Sequence, residues 1–384
     1  MVALTAMTTK QKIFVAVNCF VASLLVTGLY FRLLTPAPPL CNRGSYSFIA
    51  YISHVLLGYH RDRWIIYVCD YGQSCGELPL RLDGIISTYI LSVLSTRKFG
   101  IIFTKPAPLH QLLKPVKFNW IVNPSALGFA SCNYYNYMFN DEFGSKLKTM
   151  DLDLEFQEEV VYIKLHKYYW NSLYQNPRYA GKLRGNTASG TYYQTFLNLF
   201  EPQPKFKHTV LKYSNHFKSN LSTNLVCVIA SETDQKHNQG YTIWKFLDKV
   251  SHSKNTRILL STADQDLVRQ TRQRFPSNVF TVSGSQRYID GDDTSTSAGE
   301  TLSDNLVTNL LDFYALIQCD ELAMTCGSVW GRLVAFCRNT NQGLRYLQND
   351  MVRNVDLDAL SMDYEEGACS SSTINNQNAQ VISA

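Results

Sequence analysis

From Asn224 to Val282, short apolar runs alternate with longer amphipathic stretches, and that alternation leaves few folds open. Asn224–Ala230, NLVCVIA, is an apolar run of strand length. Tyr241–Val250 reads as a helix carrying Trp244 and Leu247, and Arg257–Thr262, RILLST, as a strand. Gln265–Phe275 is a helix and Val279–Val282 a further strand. Strands alternating with helices imply a parallel sheet covered by helices.

The same rhythm continues through Glu300–Arg338. Leu302, Leu306, Leu310, Phe313 and Ile317 recur at helical spacing, and Thr301 followed by Asp304 is a capping pattern at the start. Glu321–Thr325 is a short apolar strand, Cys326-Gly327-Ser328 a sharp turn, and Val329, Leu333, Val334 and Phe336 begin a second helix. Such a turn points backbone N–H groups at whatever sits above the sheet, which suits a phosphate. In open α/β sheets, ligands bind outside the carboxyl ends of the strands. Alone, the segment reads first as ordinary αβα packing.

An earlier series precedes it. Trp64–Cys69 is a strand, Cys75–Arg81 (CGELPLR) a turn, Leu82–Ser95 a mostly apolar helix and Phe99–Thr104 a strand, together a βαβ unit. Between Asn119 and Tyr192 the pattern blurs into Tyr- and Asn-dense stretches, suited to stacking on sugar faces or to plain packing. Thr195–Pro204 reads as a helix end and a linker. With 384 residues and 45% hydrophobic composition, two domains with two cores are expected.

Ile13–Phe31 holds nineteen residues without a charge. As a helix it spans roughly 28 Å, enough for a bilayer core. Lys10 and Lys12 precede it, and it ends on bulky residues, unlike a cleaved signal peptide. The expected organisation is a cytoplasmic tail (1–12), a transmembrane signal anchor (13–34), a proline-rich stem (35–60), two α/β domains (61–200 and 201–348) and a disordered tail (349–384). The anchor implies type II topology in a Golgi or ER membrane, with the remaining chain lumenal.

A net charge of +5 is too mild to argue for nucleic acid. Between Glu201 and Phe280, 12 Lys/Arg face 6 Asp/Glu, a tilt that would attract a nucleotide diphosphate or serve as a solvated face. None of the ten cysteines has zinc spacing, so no metal is expected. Disulfides are open to a domain outside the cytosol, and Cys227, inside an apolar run, reads as a free buried thiol. Asn220-Leu221-Ser222 is a glycosylation sequon, usable on a lumenal domain.

The assembled order resembles the GT-B fucosyltransferase superfamily, which includes the nodulation, α-1,6-, xyloglucan and protein O-fucosyltransferases. Cys75–Ile85, CGELPLRLDGI, resembles the family's "GGLGDRLRGI", and Thr96-Arg97-Lys98-Phe99 its following "TGR" step. Leu197–Pro202 resembles the linker before the second half. Leu259–Asp264, LLSTAD, resembles the "ATD" strand end, and Asp320–Arg332 the segment lying against the donor nucleotide. One departure stands out. The family's strand ends in "HIRRTD", whereas Val228–Asp234 reads VIASETD, with Ser231 and Glu232 in the arginine positions. Losing such an arginine typically costs roughly 10²–10³-fold in rate, by analogy with oxyanion-hole deletions.

The resemblance implies two Rossmann-like domains facing a cleft, the first taking the acceptor. It implies an inverting, metal-independent transfer from GDP-fucose or another nucleotide sugar to a glycan or glycoprotein, with no cofactor. Donor contacts fall on Arg81, Ser231, Asp264, Thr325, Ser328 and Arg332. Asp234 and Glu232 are the weak candidates for the general base, which is otherwise unidentified. The alternative is a catalytically inactive, membrane-anchored glycan- or partner-binding protein on the same fold. A third reading, a GT-A enzyme with a metal on Asp151-Leu152-Asp153 or Asp290–Asp293, rests on short acidic motifs alone.

Overall fold

The computed structural model describes residues 62–362 apart from 71–74, 124–126, 128–129, 139, 141, 219–222, 231–238, 254, 283–297 and 349–350. The expected anchor and stem, Asn220, Ser231, Glu232, Asp234 and Asp290–Asp293 lie outside the described residues. Among the described residues no helix is long and apolar enough to cross a membrane.

The first half contains β1 (Trp64–Cys69), α1 (Leu78–Leu94), β2 (Lys98–Phe103), β3 (Leu113–Lys114), β4 (Cys132–Asn136), α2 (Glu142–Leu147) and α3 (Leu152–Glu155). It continues with β5 (Val160–Lys164), α4 (Trp170–Gln175), α5 (Ala180–Leu183) and α6 (Ala188–Leu199). Strands β2-β1-β5-β4 form a four-stranded, all-parallel sheet. Helix α1 starts at Leu78, four residues before the apolar periodicity suggests, because Pro79 sits in its first turn with φ already set for a helix. Gly84 lets α1 lie directly on the end of β5: a Cβ there would stand 2.1 Å from the Leu165 carbonyl oxygen.

The second half contains β6 (Glu201–Pro202), α7 (Pro204–Phe217), β7 (Asn224–Ala230), α8 (Gln239–Ser251), β8 (Thr256–Thr262), α9 (Gln265–Arg274) and β9 (Val279–Thr281). Then come α10 (Ala298–Leu316), β10 (Glu321–Thr325), α11 (Val329–Arg338), β11 (Leu344–Gln348), β12 (Met351–Asn354) and α12 (Leu357–Met362). The six-stranded sheet has the order β12-β11-β10-β7-β8-β9, parallel except for β12. Within the stretch expected as tail from 349, β12 pairs with β11, and α12 buries Leu357 and Leu360. The expected linker is a short ribbon, β6 pairing antiparallel with β3.

Period-two alternation gives each strand of the second sheet two faces. Leu225, Cys227 and Ile229 enter one core, while Val226, Val228 and Ala230 enter a smaller one beneath α8 and α9. The larger core does not stop at the domain boundary. It runs from β1 through α1 and α6 into α10, α11 and the second sheet, so both halves contribute to it, and the smaller core lies on the other face of the second sheet. Aromatic rings cross that boundary: Phe336 meets Tyr192 at 5.3 Å and Phe313 meets Phe196 at 5.4 Å.

Most of the tyrosine-dense region is packing rather than a sugar platform. Tyr137 stacks on Phe143 at 3.8 Å, Phe143 meets Tyr169 edge-on, and Tyr168, Tyr179 and Tyr192 are buried. Cys227 is not a free thiol: it is bonded to Cys319, which arrives just before the neighbouring strand β10. Cys69 pairs with Cys75, and Cys132 and Cys326 are also disulfide-bonded. Among the described residues only Cys337 is a free, buried thiol.

Candidate functional site

In the second sheet the chain runs outward from β7 to β8 and β9, then returns through α10 to β10 on the other side of β7. The winding reverses between β7 and β10. Outside the carboxyl ends of such a pair, helices diverge to opposite faces and leave a crevice. Ile229 lies opposite Met324, so Ala230 and Thr325 end the two strands side by side. The segments that follow them are VIASETD and the Cys326-Gly327-Ser328 turn. Of the former, the residues after Ala230 lie outside the described residues.

The turn after β10 is built as its small residues suggest. Gly327 has φ +80°, a left-handed conformation that favours glycine. Ser328 is the N-cap of α11, its Oγ accepting the Gly331 N–H at 3.0 Å. At Gly331 the helix is pressed onto β10: a Cβ there would stand 2.8 Å from both Met324 Cβ and Sδ. The first N–H groups of a helix have no partner within it, and its N-terminus carries partial positive charge, so this end suits an anion. Thr325 is 0% exposed and lies beneath the turn rather than at a surface.

On the other flank of β7, Asp264 follows β8. It N-caps α9, its Oδ1 accepting the Asp266 and Leu267 N–H groups at 2.8 and 3.1 Å. Its Oδ2 is buried without a hydrogen-bond partner among the described residues. A buried carboxylate oxygen without a donor is costly and matches a ligand hydroxyl or ring N–H.

Arg332 stands one turn into α11. Its Nη2 donates to Asp83 Oδ2 of α1 at 3.1 Å, and the Tyr192 hydroxyl of α6 donates to Asp83 Oδ1 at 3.0 Å. Asp83 is 2% exposed, and burial pushes its carboxyl above the usual range against the opposing pull of Arg332 and Tyr192. Burial, reinforced by Asp83, also raises Tyr192 and the neighbouring Cys337. The sequence singled out Arg332 but not Asp83 or Tyr192. The available signal was a carboxylate inside an otherwise apolar helix, LPLRLDGIISTYILSVL.

Arg81 is buried within the first half. It is 1% exposed, its Nε donates to the Gly76 carbonyl and its Nη1 to the Lys105 carbonyl, both at 2.7 Å, and it lies over the Phe103 ring. It ties the loops after β1 and β2 to the start of α1. Thus Ser328, Arg332 and Thr325 share one turn and Asp264 joins them along the strand ends, while Arg81 serves the interior of the first half.

The short acidic motif Asp151-Leu152-Asp153 is also structural. Asp151 caps α3, accepting the Asp153 N–H, and pairs with Arg178 at 2.8 Å. Among the described residues no group of three or more His, Cys, Asp or Glu is arranged to hold a metal ion.

No family model and no curated protein matches the sequence. Solved structures do match. FUT1 of Arabidopsis thaliana, a mutant in complex with GDP, superimposes with TM-score 0.55 at 12% identity, covering 80% of this chain and 75% of that one. NodZ alpha-1,6-fucosyltransferase soaked with GDP-fucose gives TM-score 0.50 at 13% identity over 78% of this chain and 96% of that one. Selenomethionine fucosyltransferase NodZ from Bradyrhizobium gives TM-score 0.50 at 12% identity over 74% and 94%. The mixed α/β architecture is therefore shared with these solved structures.

Proposed function

We propose that the chain is a glycosyltransferase that takes a GDP-sugar at the crevice between β7 and β10 and transfers the sugar to a glycan or glycoprotein hydroxyl. The observation that carries this reading is the turn after β10. A glycine-shaped bend and a serine-capped helix stand at the winding reversal of a parallel sheet, where nucleotides bind in open α/β folds. Of the solved structures of like fold, one is in complex with GDP and another was soaked with GDP-fucose.

In this reading the N-terminal turn of α11 meets the diphosphate, with Ser328 holding the turn and Arg332 adding charge. Thr325 lies beneath that turn, and the Asp264 oxygen that has no partner among the described residues accepts from the nucleoside. A diphosphate leaves as the sugar carbon gains positive charge, and fixed N–H dipoles and a guanidinium stabilise that departure. The activity takes no metal or cofactor. Ser231, Glu232 and Asp234 follow β7 in the sequence, and the last two remain the candidates for the base. The half around β1 and β5 takes the acceptor. The domain is lumenal and held by the apolar segment at 13–34. At least six disulfide-bonded cysteines support an oxidising compartment, and Asn220 is its glycosylation site.

A second reading is favoured by one set of facts. Ser231 and Glu232 replace the arginines of related sequences, and Arg81 and Arg332 are both engaged by partners within the protein. On that reading the chain binds a nucleotide sugar or glycan without transferring it. Titrating the full chain with GDP and with UDP while following the melting temperature tests the site. A rise with GDP alone supports it, and no shift with either nucleotide refutes it. Release of GDP from GDP-fucose then separates transferase from binding protein.

A further inference from the structure

We propose that Asp83, held by Tyr192, is a positioning residue for the donor site, acting from the first half on Arg332 in the second. This rests on the reading of the β7–β10 crevice as a GDP-sugar site. Fourteen of the seventeen residues of α1 are buried, and a carboxylate there is costly unless its charge is used. Asp83 uses both oxygens, one for the Tyr192 hydroxyl and one for Arg332, so the carboxylate cannot swing. Arg332 is itself bonded through its N–H to the Ser328 carbonyl at 3.0 Å, four residues before it on the same helix face. That backbone bond is the ordinary helical one and sets Arg332 one turn from the helix end that would meet the phosphates, while Asp83 holds its guanidinium.

An arginine on a flexible stem loses rotamer entropy each time it grips an anion. A partner that fixes it in the empty protein removes that cost from binding. The titratable and charged groups facing Asp83 are Arg332 and Cys337 of α11, Tyr192 of α6 and Tyr168 from the segment after β5. Among these Arg332 is the cation that responds to Asp83. A brace between the halves would show the same contacts, so the test needs a readout that bracing does not move.

That readout is GDP affinity against pH, measured by calorimetry on the full chain as wild type, Asp83→Asn and Tyr192→Phe. Asp83→Asn keeps shape and removes charge. The expected result at pH 7.5 is a GDP Kd weaker by about 10-fold in Asp83→Asn and by about 3-fold in Tyr192→Phe, with the folded fraction unchanged. As pH falls and Asp83 takes up its proton, the wild-type value should converge on that of Asp83→Asn. Dividing the two cancels titration of the nucleotide itself. A wild type that binds GDP equally well as Asp83→Asn at every pH overturns the proposal and leaves the functional reading standing. So does a deficit in Asp83→Asn that is independent of pH. A wild type that does not bind GDP refutes the functional reading and, with it, this one.

Discussion

Replacing Ser328 by aspartate separates the structural role of the α11 cap from its role toward a phosphate. Ser328 accepts the Gly331 N–H, and aspartate caps helices about as well as serine. A carboxylate at a helix N-terminus is further favoured by the helix dipole, by about 0.3–1 kcal/mol. Stability should therefore stay within about 1 kcal/mol of wild type by urea denaturation. A diphosphate at the same N-terminus would meet a like charge at roughly 4–5 Å. At an effective dielectric constant of about 20, that repulsion is about 3–4 kcal/mol. GDP affinity by calorimetry should fall roughly 10²–10³-fold, while Ser328→Asn, an uncharged cap, should change it less than about 3-fold. A Ser328→Asp protein that is folded and binds GDP like wild type would show that the diphosphate does not lie at this turn.

Arg81→Met removes two charge-assisted hydrogen bonds from a buried site and should destabilise the fold by about 3–5 kcal/mol in denaturation. GDP affinity of the folded fraction should hold; lost affinity with stability intact would return Arg81 to the donor site. Asp83 binds its proton more tightly folded than unfolded, since its carboxyl is raised from 3.8. Its contribution to stability is therefore complete below that value and is lost as pH rises through the folded-state titration. Urea midpoints of wild type minus those of Asp83→Asn should fall with rising pH across that window, and a difference that rises instead contradicts the burial argument. The Cys227–Cys319 bond spans a sequence separation of 92, for which chain-entropy accounting gives about 4–5 kcal/mol. The Cys227→Ala, Cys319→Ala pair should lower the thermal midpoint markedly, while an unchanged midpoint would show that the bridge does not form.

Elements with strong periodicity were legible in the sequence. The strands β7 to β10 and the turn at Gly327 stand where apolar runs and small residues put them. The stretch from β4 to α6 was not, because its helices α2 to α5 are only four to six residues long and its tyrosines are interior. Residues 351–362 looked like tail because β12 is an exposed edge strand and only Leu357 and Leu360 anchor α12. In the site, the sequence put Ser328 in a turn of small residues and Asp264 at a strand end, and both prove to be helix caps. The Asp83–Arg332 pair joins residues 249 apart, and local pattern carries no record of so distant a partner. Arg81 was legible as special, but a motif marks a position without naming the Gly76 and Lys105 carbonyls that its guanidinium meets.

The shared interior of α1, α6, α10 and α11 has a consequence for how the chain comes apart. Rings from both halves interdigitate there, and the Asp83–Arg332 pair crosses the same seam. Neither sheet owns enough of that core to keep its inner face dry alone. Cutting the backbone at the Glu201–Pro202 ribbon would therefore yield two fragments that remain associated and melt together in one cooperative transition, rather than two modules that survive separation.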